Sequence, residues 1–305
     1  MKRPITNPAA SIRAKLMNEY RSTGLNFDRI LRRYAYERFL KRLELAGFSD
    51  RFVLKGAMLF VVWEESGFRP TSDLDLLGFG ALSEDSVREI VTLATGVDIS
   101  DGLIFESEFG VGPIREDQKY GGIRVRIRAR LENAIIPLQI DIGIGDAVFP
   151  TPKKVEIPSL AGMPRPFFQV YPKEAVIAEK LHAMTDRGML NSRLKDYRDI
   201  SVLAKGNDFD GALLSLAILR TFERREMVSL TADLPGLTIE FAQKNQKPWM
   251  HYLEEIRETP VELEVVVKEI SEFLSPPVNG LIRNGHFSGF WNRHIGSWEN
   301  LGGSF

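Results

Sequence analysis

An α+β fold is expected for this chain: a mixed, largely antiparallel sheet with helices, followed by a mainly helical C-terminal domain. Three observations predict it. Near the N-terminus Phe27, Ile30, Leu31, Tyr34, Phe39, Leu40 and Leu43 recur at helical spacing. Two consecutive segments, 121–131 and 135–144, alternate strictly between apolar and polar residues, the period of a half-buried strand. Behind a proline-rich stretch, 150–172, helical periodicity returns and persists almost to the end.

Taken in order, residues 9–47 read as helical, with Asn26 as an N-cap and Gly47 as a stop. A short buried helix is expected over 54–62, opening near Gly56, and a strand over 73–79. Ser83 caps the next helix, with Glu84 and Asp85 favouring the positive end of its dipole. Strands are expected at 103–109, 122–131 and 135–144, then a linker or surface crossing over 150–172. Helices follow at 172–186, 193–205, 209–219, 237–257 and 260–274, the last ended by Pro276-Pro277. The expected organisation is N-terminal helices over 1–50, an α/β core over 51–150, a Pro-rich connection over 151–172, a helical domain over 173–277 and an irregular tail over 278–305. That tail carries six glycines together with Trp291, Trp298 and Phe305.

Composition removes several chemistries. The 305 residues contain no cysteine, which excludes disulfides, thiol catalysis, iron–sulfur clusters and cysteine-ligated zinc. The four histidines never stand four apart, which argues against a histidine zinc site. Forty basic against 41 acidic residues give a net charge of −1, so the chain is not a globally basic nucleic-acid binder, though a local basic stripe is allowed. No apolar run follows Lys2 and Arg3, and the run Met58 to Trp63 is far short of a membrane span. A cytoplasmic protein without a membrane segment is expected.

Asp73-Leu74-Asp75 is the sharpest chemical feature. On a strand, residues i and i+2 point to one side, so both carboxylates face out together while Leu74 and Leu76 face the core. Two such carboxylates repel unless a cation lies between them, and Mg²⁺ held with substrate phosphates would relieve that repulsion. The plainer alternative is a strand end with two solvated acids. The following strands add Arg124, Arg126, Arg128 and Arg130 on one face, and Gln139 with Asp141 on one face of the next. If Asn133-Ala134 forms the hairpin turn, Glu132 pairs with Ile135, Arg126 stands opposite Asp141 and Arg128 opposite Gln139. Such an arginine row suits a polyanion or a triphosphate. It equally suits an exposed face balanced by Glu106 and Glu108. Asp73, Asp75 and Asp141 then form a candidate carboxylate triad for metal-assisted phosphoryl transfer.

Two helices carry further candidates. Lys180 falls inside the apolar stripe of Val176, Ile177, Leu181 and Met184. It either snorkels to solvent or reaches a phosphate as a point charge. Asp196 and Asp199 stand three apart at the start of the next helix and share a face, where acids also favour the helix dipole.

Four pieces in this order, Leu54-Lys55-Gly56-Ala57-Met58-Leu59-Phe60, Thr71-Ser72-Asp73-Leu74-Asp75, Ala178-Glu179-Lys180-Leu181-His182-Ala183 and Lys195-Asp196-Tyr197-Arg198-Asp199-Ile200, resemble the AbiEii/AbiGii-type nucleotidyltransferase toxins. These are relatives of the DNA polymerase β nucleotidyltransferase superfamily. The resemblance spans roughly residues 25–205. It implies a nucleotidyltransferase palm-like mixed/antiparallel sheet with helices, followed by a mainly helical C-terminal domain. It implies Mg²⁺ (or Mn²⁺) on Asp73 and Asp75, with Asp141 as the third superfamily carboxylate, and Asp73, Asp75, Lys180 and Asp196 as the catalytic set. Lys55, Gly56, Ser72, Lys180, Arg126 and Asp199 are expected about the NTP. Gly56-Ala57 departs from the Gly-Gly or Gly-Ser of many relatives and removes a hydroxyl contact. Family members are toxins of toxin–antitoxin or abortive-infection pairs, some adding nucleotides to the 3′ end of tRNA. The implied partners are an RNA acceptor and a DNA-binding antitoxin. Nucleotidylation of a protein or small molecule, or a catalytically inactive binding module, are the alternatives.

Overall fold

The computed structural model describes residues 7–63, 71–114, 121–145, 148–225 and 230–299; Phe305 lies outside them. The chain divides into two compact units, Met1–Asp146 with Pro152–Tyr171, and Ala147–Thr151 with Pro172–Phe305.

In the first unit, α1 (Pro8–Thr23) and α2 (Phe27–Leu45) replace the single helical stretch expected over 9–47. The break falls where Gly24 adopts a left-handed conformation and Asn26 caps α2, its Oδ1 accepting from the Asp28 amide at 2.9 Å. A strand follows that the sequence hid, β1 (Phe52–Lys55), and only then a 3₁₀ turn at Gly56–Met58 and α3 (Leu59–Val62). Three apolar residues and a lysine leading into a glycine carry too little of a period for a strand and a helix to be told apart. Next come β2 (Asp73–Gly78), α4 (Glu84–Thr95), β3 (Leu103–Phe105), β4 (Gly110–Pro113), β5 (Gly122–Leu131) and β6 (Ala134–Ile144). Ser83 caps α4 as expected, in a reciprocal capping box with Ser86.

The proline-rich stretch is not a bare crossing. It contributes β7 (Lys153–Glu156) and β8 (Phe167–Val170) to the sheet, whose order is β3-β5-β6-β2-β1-β8-β7 with β4 also paired to β5. Pro152, Pro158, Pro164 and Pro166 all flank these strands, where no ladder donor is needed. Strands β2 and β6 are parallel, as are β1 and β8; the other pairs are antiparallel.

The β5–β6 register differs from expectation by two residues. The turn is Glu132-Asn133, with Glu132 at φ +52°, so Leu131 pairs with Ala134, Arg124 with Asp141 and Arg126 with Gln139. A shift of two preserves faces, because side chains repeat every second residue. Ile123, Val125, Ile127, Ala129 and Leu131 are buried, and the arginines stay together on the other side.

The second unit holds α5 (Lys173–Arg187), α6 (Leu194–Gly206), β9 (Phe209–Asp210), α7 (Gly211–Arg225), α8 (Ile239–Ile256) and α9 (Leu263–Asn284). Helix α9 runs through Pro276-Pro277 rather than ending there. Phe273, Leu274, Pro277, Val278 and Leu281 continue its buried stripe. Burying each large apolar side chain is worth ~1.5–3 kcal/mol, which offsets the ~3 kcal/mol an interior proline costs. Within the tail, residues 290–292 and 297–299 form strands rather than an irregular arm. β10 (Phe290–Asn292) pairs with β9 and with β11 (Ser297–Glu299). Trp291 donates to the Ala204 carbonyl at 2.7 Å, and Trp298 stacks on Phe273 while donating to its carbonyl at 2.9 Å. An indole that is both buried and hydrogen-bonded is a strong anchor for a glycine-rich segment. No helix among the described residues is long and apolar enough to cross a membrane.

Candidate active site

The alternation of β2 buries Leu74 and Leu76 and leaves Asp73 and Asp75 half-buried on the opposite face. Parallel pairing sets Asp73 against Gln139 and Asp75 against Asp141. One carboxylate oxygen from each of Asp73, Asp75 and Asp141 lies within 4.8 Å of the others. The candidate triad therefore comes together on two neighbouring strands.

Each member is oriented. Asp73 accepts a hydrogen bond from Thr71 Oγ1 at 2.9 Å. Asp141 is gripped by Arg124, whose Nε and Nη2 donate at 2.8 and 2.6 Å, and Gln139 Nε2 donates to the same carboxylate at 3.3 Å. The hydrogen bond to Asp141, together with the negative charge of all three aspartates, holds the Arg124 guanidinium above its usual range. Asp75 packs on Gly56, where an added Cβ would lie 1.9 Å from its Oδ2. Gly56 has φ +68°, a conformation that side chains resist, so the residue suits both the backbone and its neighbour. Lys55 pairs with Asp75 across β1 and β2, and its ammonium sits 4.6 Å from the Tyr171 ring centre.

Tyr36 is a structural contributor that no sequence signal marked. Its hydroxyl donates to the Ser72 carbonyl at 2.8 Å and also lies 3.1 Å from the Gln139 carbonyl, tying the start of β2 to β6. Burial pushes this hydroxyl well above its usual pKa, so it remains a donor. Ser72 itself is exposed beside Asp73.

The four arginines of β5 are not equivalent. Arg124 holds Asp141, while Arg128 and Arg130 share Glu106 at 3.6 and 2.8 Å. Arg126 has no carboxylate partner among the described residues. The acidic balance expected of an exposed face thus applies to part of the row, through Glu106.

A second cluster forms within the other unit. Lys180 neither snorkels nor stands alone: its ammonium donates to Asp196 Oδ1 at 2.6 Å and to Asp199 Oδ2 at 2.8 Å. Both aspartates are about 1% exposed. Arg193 lies 2.8 Å from Asp196, and Arg198 lies 3.6 Å from Asp199 while bonding Glu258. Burial would lower the Lys180 pKa, but Asp199 and Asp196 outweigh it and raise the group above its ordinary value.

The donor set on β2 and β6 fits a hard divalent cation. Carboxylate oxygens are the ligands such ions prefer, and the three carboxylates converge closely enough to share one. Asp141 is within reach but already forked by Arg124, so it is shared rather than free.

A mixed sheet presenting two aspartates two residues apart, with a third on the parallel neighbour, has the donor set that metal-assisted phosphoryl transfer uses. The family model described as Nucleotidyl transferase AbiEii toxin, Type IV TA system, matches residues 38–274. The chain belongs to this AbiEii family of nucleotidyltransferase toxins. Two solved structures are similar at low identity. One is JHP933 from Helicobacter pylori, 20% identical, covering 82% of this chain and 96% of that one with a TM-score of 0.44. The other, described only provisionally as a nucleotidyltransferase of H. pylori, is 18% identical and covers 80% and 95% with a TM-score of 0.45. No curated protein matches the chain in sequence.

Proposed function

We propose that this protein is a toxin that transfers a nucleoside monophosphate from an NTP to the 3′ end of an RNA, a tRNA in the first instance. The convergence of Asp73, Asp75 and Asp141 within 4.8 Å carries the reading. In the reaction the acceptor hydroxyl oxygen bonds to the α-phosphorus, the bond to the β-phosphate bridging oxygen breaks, pyrophosphate leaves and the hydroxyl proton passes to solvent. Asp73 and Asp75 would hold Mg²⁺ or Mn²⁺, with Asp141 shared between the ion and Arg124; when bound, the ion acidifies the hydroxyl and neutralises the departing charge.

The chain's own groups do the positioning. Gly56, lacking a side chain, keeps Asp75 in place and lets phosphate approach the backbone. Thr71 and Arg124 fix the orientation of Asp73 and Asp141. Lys55 and Ser72 flank the carboxylates and are assigned to the nucleotide. Lys180 is assigned as a phosphate-binding ammonium, kept charged by Asp196 and Asp199. Positioning and electrostatics supply most of the acceleration in reactions of this kind. A separate antitoxin, a DNA-binding regulator, completes the reading of a toxin–antitoxin pair.

The test incubates purified protein with Mg²⁺, each α-³²P-labelled NTP in turn and total cellular RNA, with Asp75→Ala alongside. Label entering a tRNA-sized band, and lost in the variant, supports the proposal and names the base. Label entering protein instead, or no label with any NTP, overturns the RNA assignment.

A further inference from the structure

Beside the carboxylates, within the first unit, lies an open cleft of about 720 Å³. That is within the ~300–1,000 Å³ range of pockets that take nucleotide-sized ligands. Its lining includes Arg32 of α2, Phe109, Arg126 and Gln139, with Glu106 and Glu108 as its acids. Gln139 is the register partner of both Asp73 and Arg126, so the cleft reaches from Ser72, next to Asp73, across β6 to β5.

Two cations in this cleft form no ion pair among the described residues. Arg32 Nε is buried with no hydrogen-bond acceptor, and Arg126 forms no ion pair among the described residues. A buried donor left unmade is costly and signals an absent acceptor. The rest of the basic row is already committed to Asp141 and Glu106. Positive charge available to a ligand is therefore concentrated at two positions rather than spread along a stripe. That suits one or two phosphates of a strand end, and not the long phosphate track of a duplex. Phe109, with Arg88 5.6 Å from its ring centre, adds an aromatic surface, the usual companion of a basic groove in single-strand binding.

The side of the site matters too. β2 has two neighbours, β1 with Gly56 and Lys55, and β6 with Gln139. In-line displacement requires attacking and leaving oxygens on opposite sides of the phosphorus. With the phosphates of the NTP along Gly56, the acceptor arrives from the β6–β5 side, where the cleft is.

We propose that this cleft seats the 3′-terminal nucleotide of a single-stranded polynucleotide acceptor, with Arg32 and Arg126 binding the phosphodiester next to the reacting hydroxyl and Phe109 stacking on a base. The proposal rests on reading the carboxylates as the transfer centre. It moves Arg126 from the NTP to the acceptor.

The experiment measures equilibrium binding of a 5′-fluorescein-labelled eight-nucleotide RNA by anisotropy over a salt series, and binding of a fluorescent NTP analogue. Arg32→Gln and Arg126→Gln are each expected to weaken RNA binding about tenfold and to flatten the salt slope by about 0.7. Arg126→Lys is expected to recover the slope but only part of the affinity, because the charge returns without the fork. Arg32→Gln is expected to leave NTP binding within twofold. RNA binding unchanged in both variants overturns the proposal, as does loss of NTP binding with RNA binding intact, or no RNA binding by the wild type. Arg126 is exposed, so its variants test the idea even if Arg32→Gln does not fold. RNA binding that depends on both arginines, in a protein that transfers no label to RNA, sustains the cleft and rejects the transfer reading.

Discussion

Gly56→Ala separates the geometry of the carboxylate site from the stability of its unit. The new Cβ would meet Asp75 at 1.9 Å from Oδ2, 2.7 Å from Cγ and 2.9 Å from Cβ. Because the Cβ of Asp75 is also within that clash, rotating the carboxylate cannot fully relieve it, and the residue must retreat by roughly 0.6–1 Å to regain ordinary contact. A misplacement of ~1 Å at reacting groups can cost ~10²-fold in rate, so kcat for nucleotide transfer should fall at least about 100-fold. Alanine at φ +68° adds a conformational cost of about 1–2 kcal/mol. In a unit of this size that lowers Tm by about 2–4 °C per kcal/mol. Gly47→Ala is the control: it has φ +83° and nothing within 4 Å of the added Cβ. It should show only the conformational part of that loss of Tm, with kcat unchanged. Transfer of α-³²P label and thermal melts on the three proteins decide the matter. Activity within a few-fold of wild type in Gly56→Ala would refute the claim that Asp75 is pinned by this glycine. Equal loss in Gly47→Ala would show that strain, and not the clash, matters.

Three further outcomes follow from buried charge. Asp101→Ala strands Arg42, whose Nη2 bonds Asp101 Oδ1 at 2.9 Å in a pair 3% and 1% exposed; urea melts should show a loss of about 3–5 kcal/mol, largely recovered in an Arg42→Met/Asp101→Leu double variant. Lys180→Met removes the ammonium shared by Asp196 and Asp199 and leaves only Arg193 and Arg198 beside them; urea melts should show a loss of stability that Asp199→Asn reduces. In the wild type the Lys180 pKa is raised, so its contribution is present at neutral pH and is lost only as pH rises through the folded value, above 10.5. His182 is 4% exposed, lies edge-on to Phe222 and has an unpartnered Nε2, and burial followed by Arg225 holds its pKa below 6.5. The unfolded chain therefore binds the proton more tightly, stability falls as pH drops below 6.5, and His182→Leu should remove that component of the Tm difference between pH 7.5 and 5.5.

Legibility of the fold tracked the length of each pattern. β5 and β6 carry ten and eleven residues, and the alternation placed both with their faces correct. Their register missed by two because Glu132, unlike glycine or asparagine, does not advertise a left-handed turn position. β1 has four residues and β4 four, too few for any period to show. In the site, Asp73, Asp75 and Asp141 could be nominated from their strand positions. Tyr36 could not, since a tyrosine on a helix looks alike whether it meets a carbonyl or water.

By itself, the sequence determined which side chains share a face: the paired aspartates of β2, the arginines of β5 and the apolar stripes beneath them. Periodicity is a property of the local backbone, and local order is enough to read it. Only the tertiary structure decided partners. Arg124 rather than Arg126 grips Asp141, Lys180 is bound by two buried carboxylates, and Pro276-Pro277 sit within a helix. Those outcomes depend on which strand or helix lies alongside, where burial strengthens a charge pair and outweighs a missing hydrogen bond.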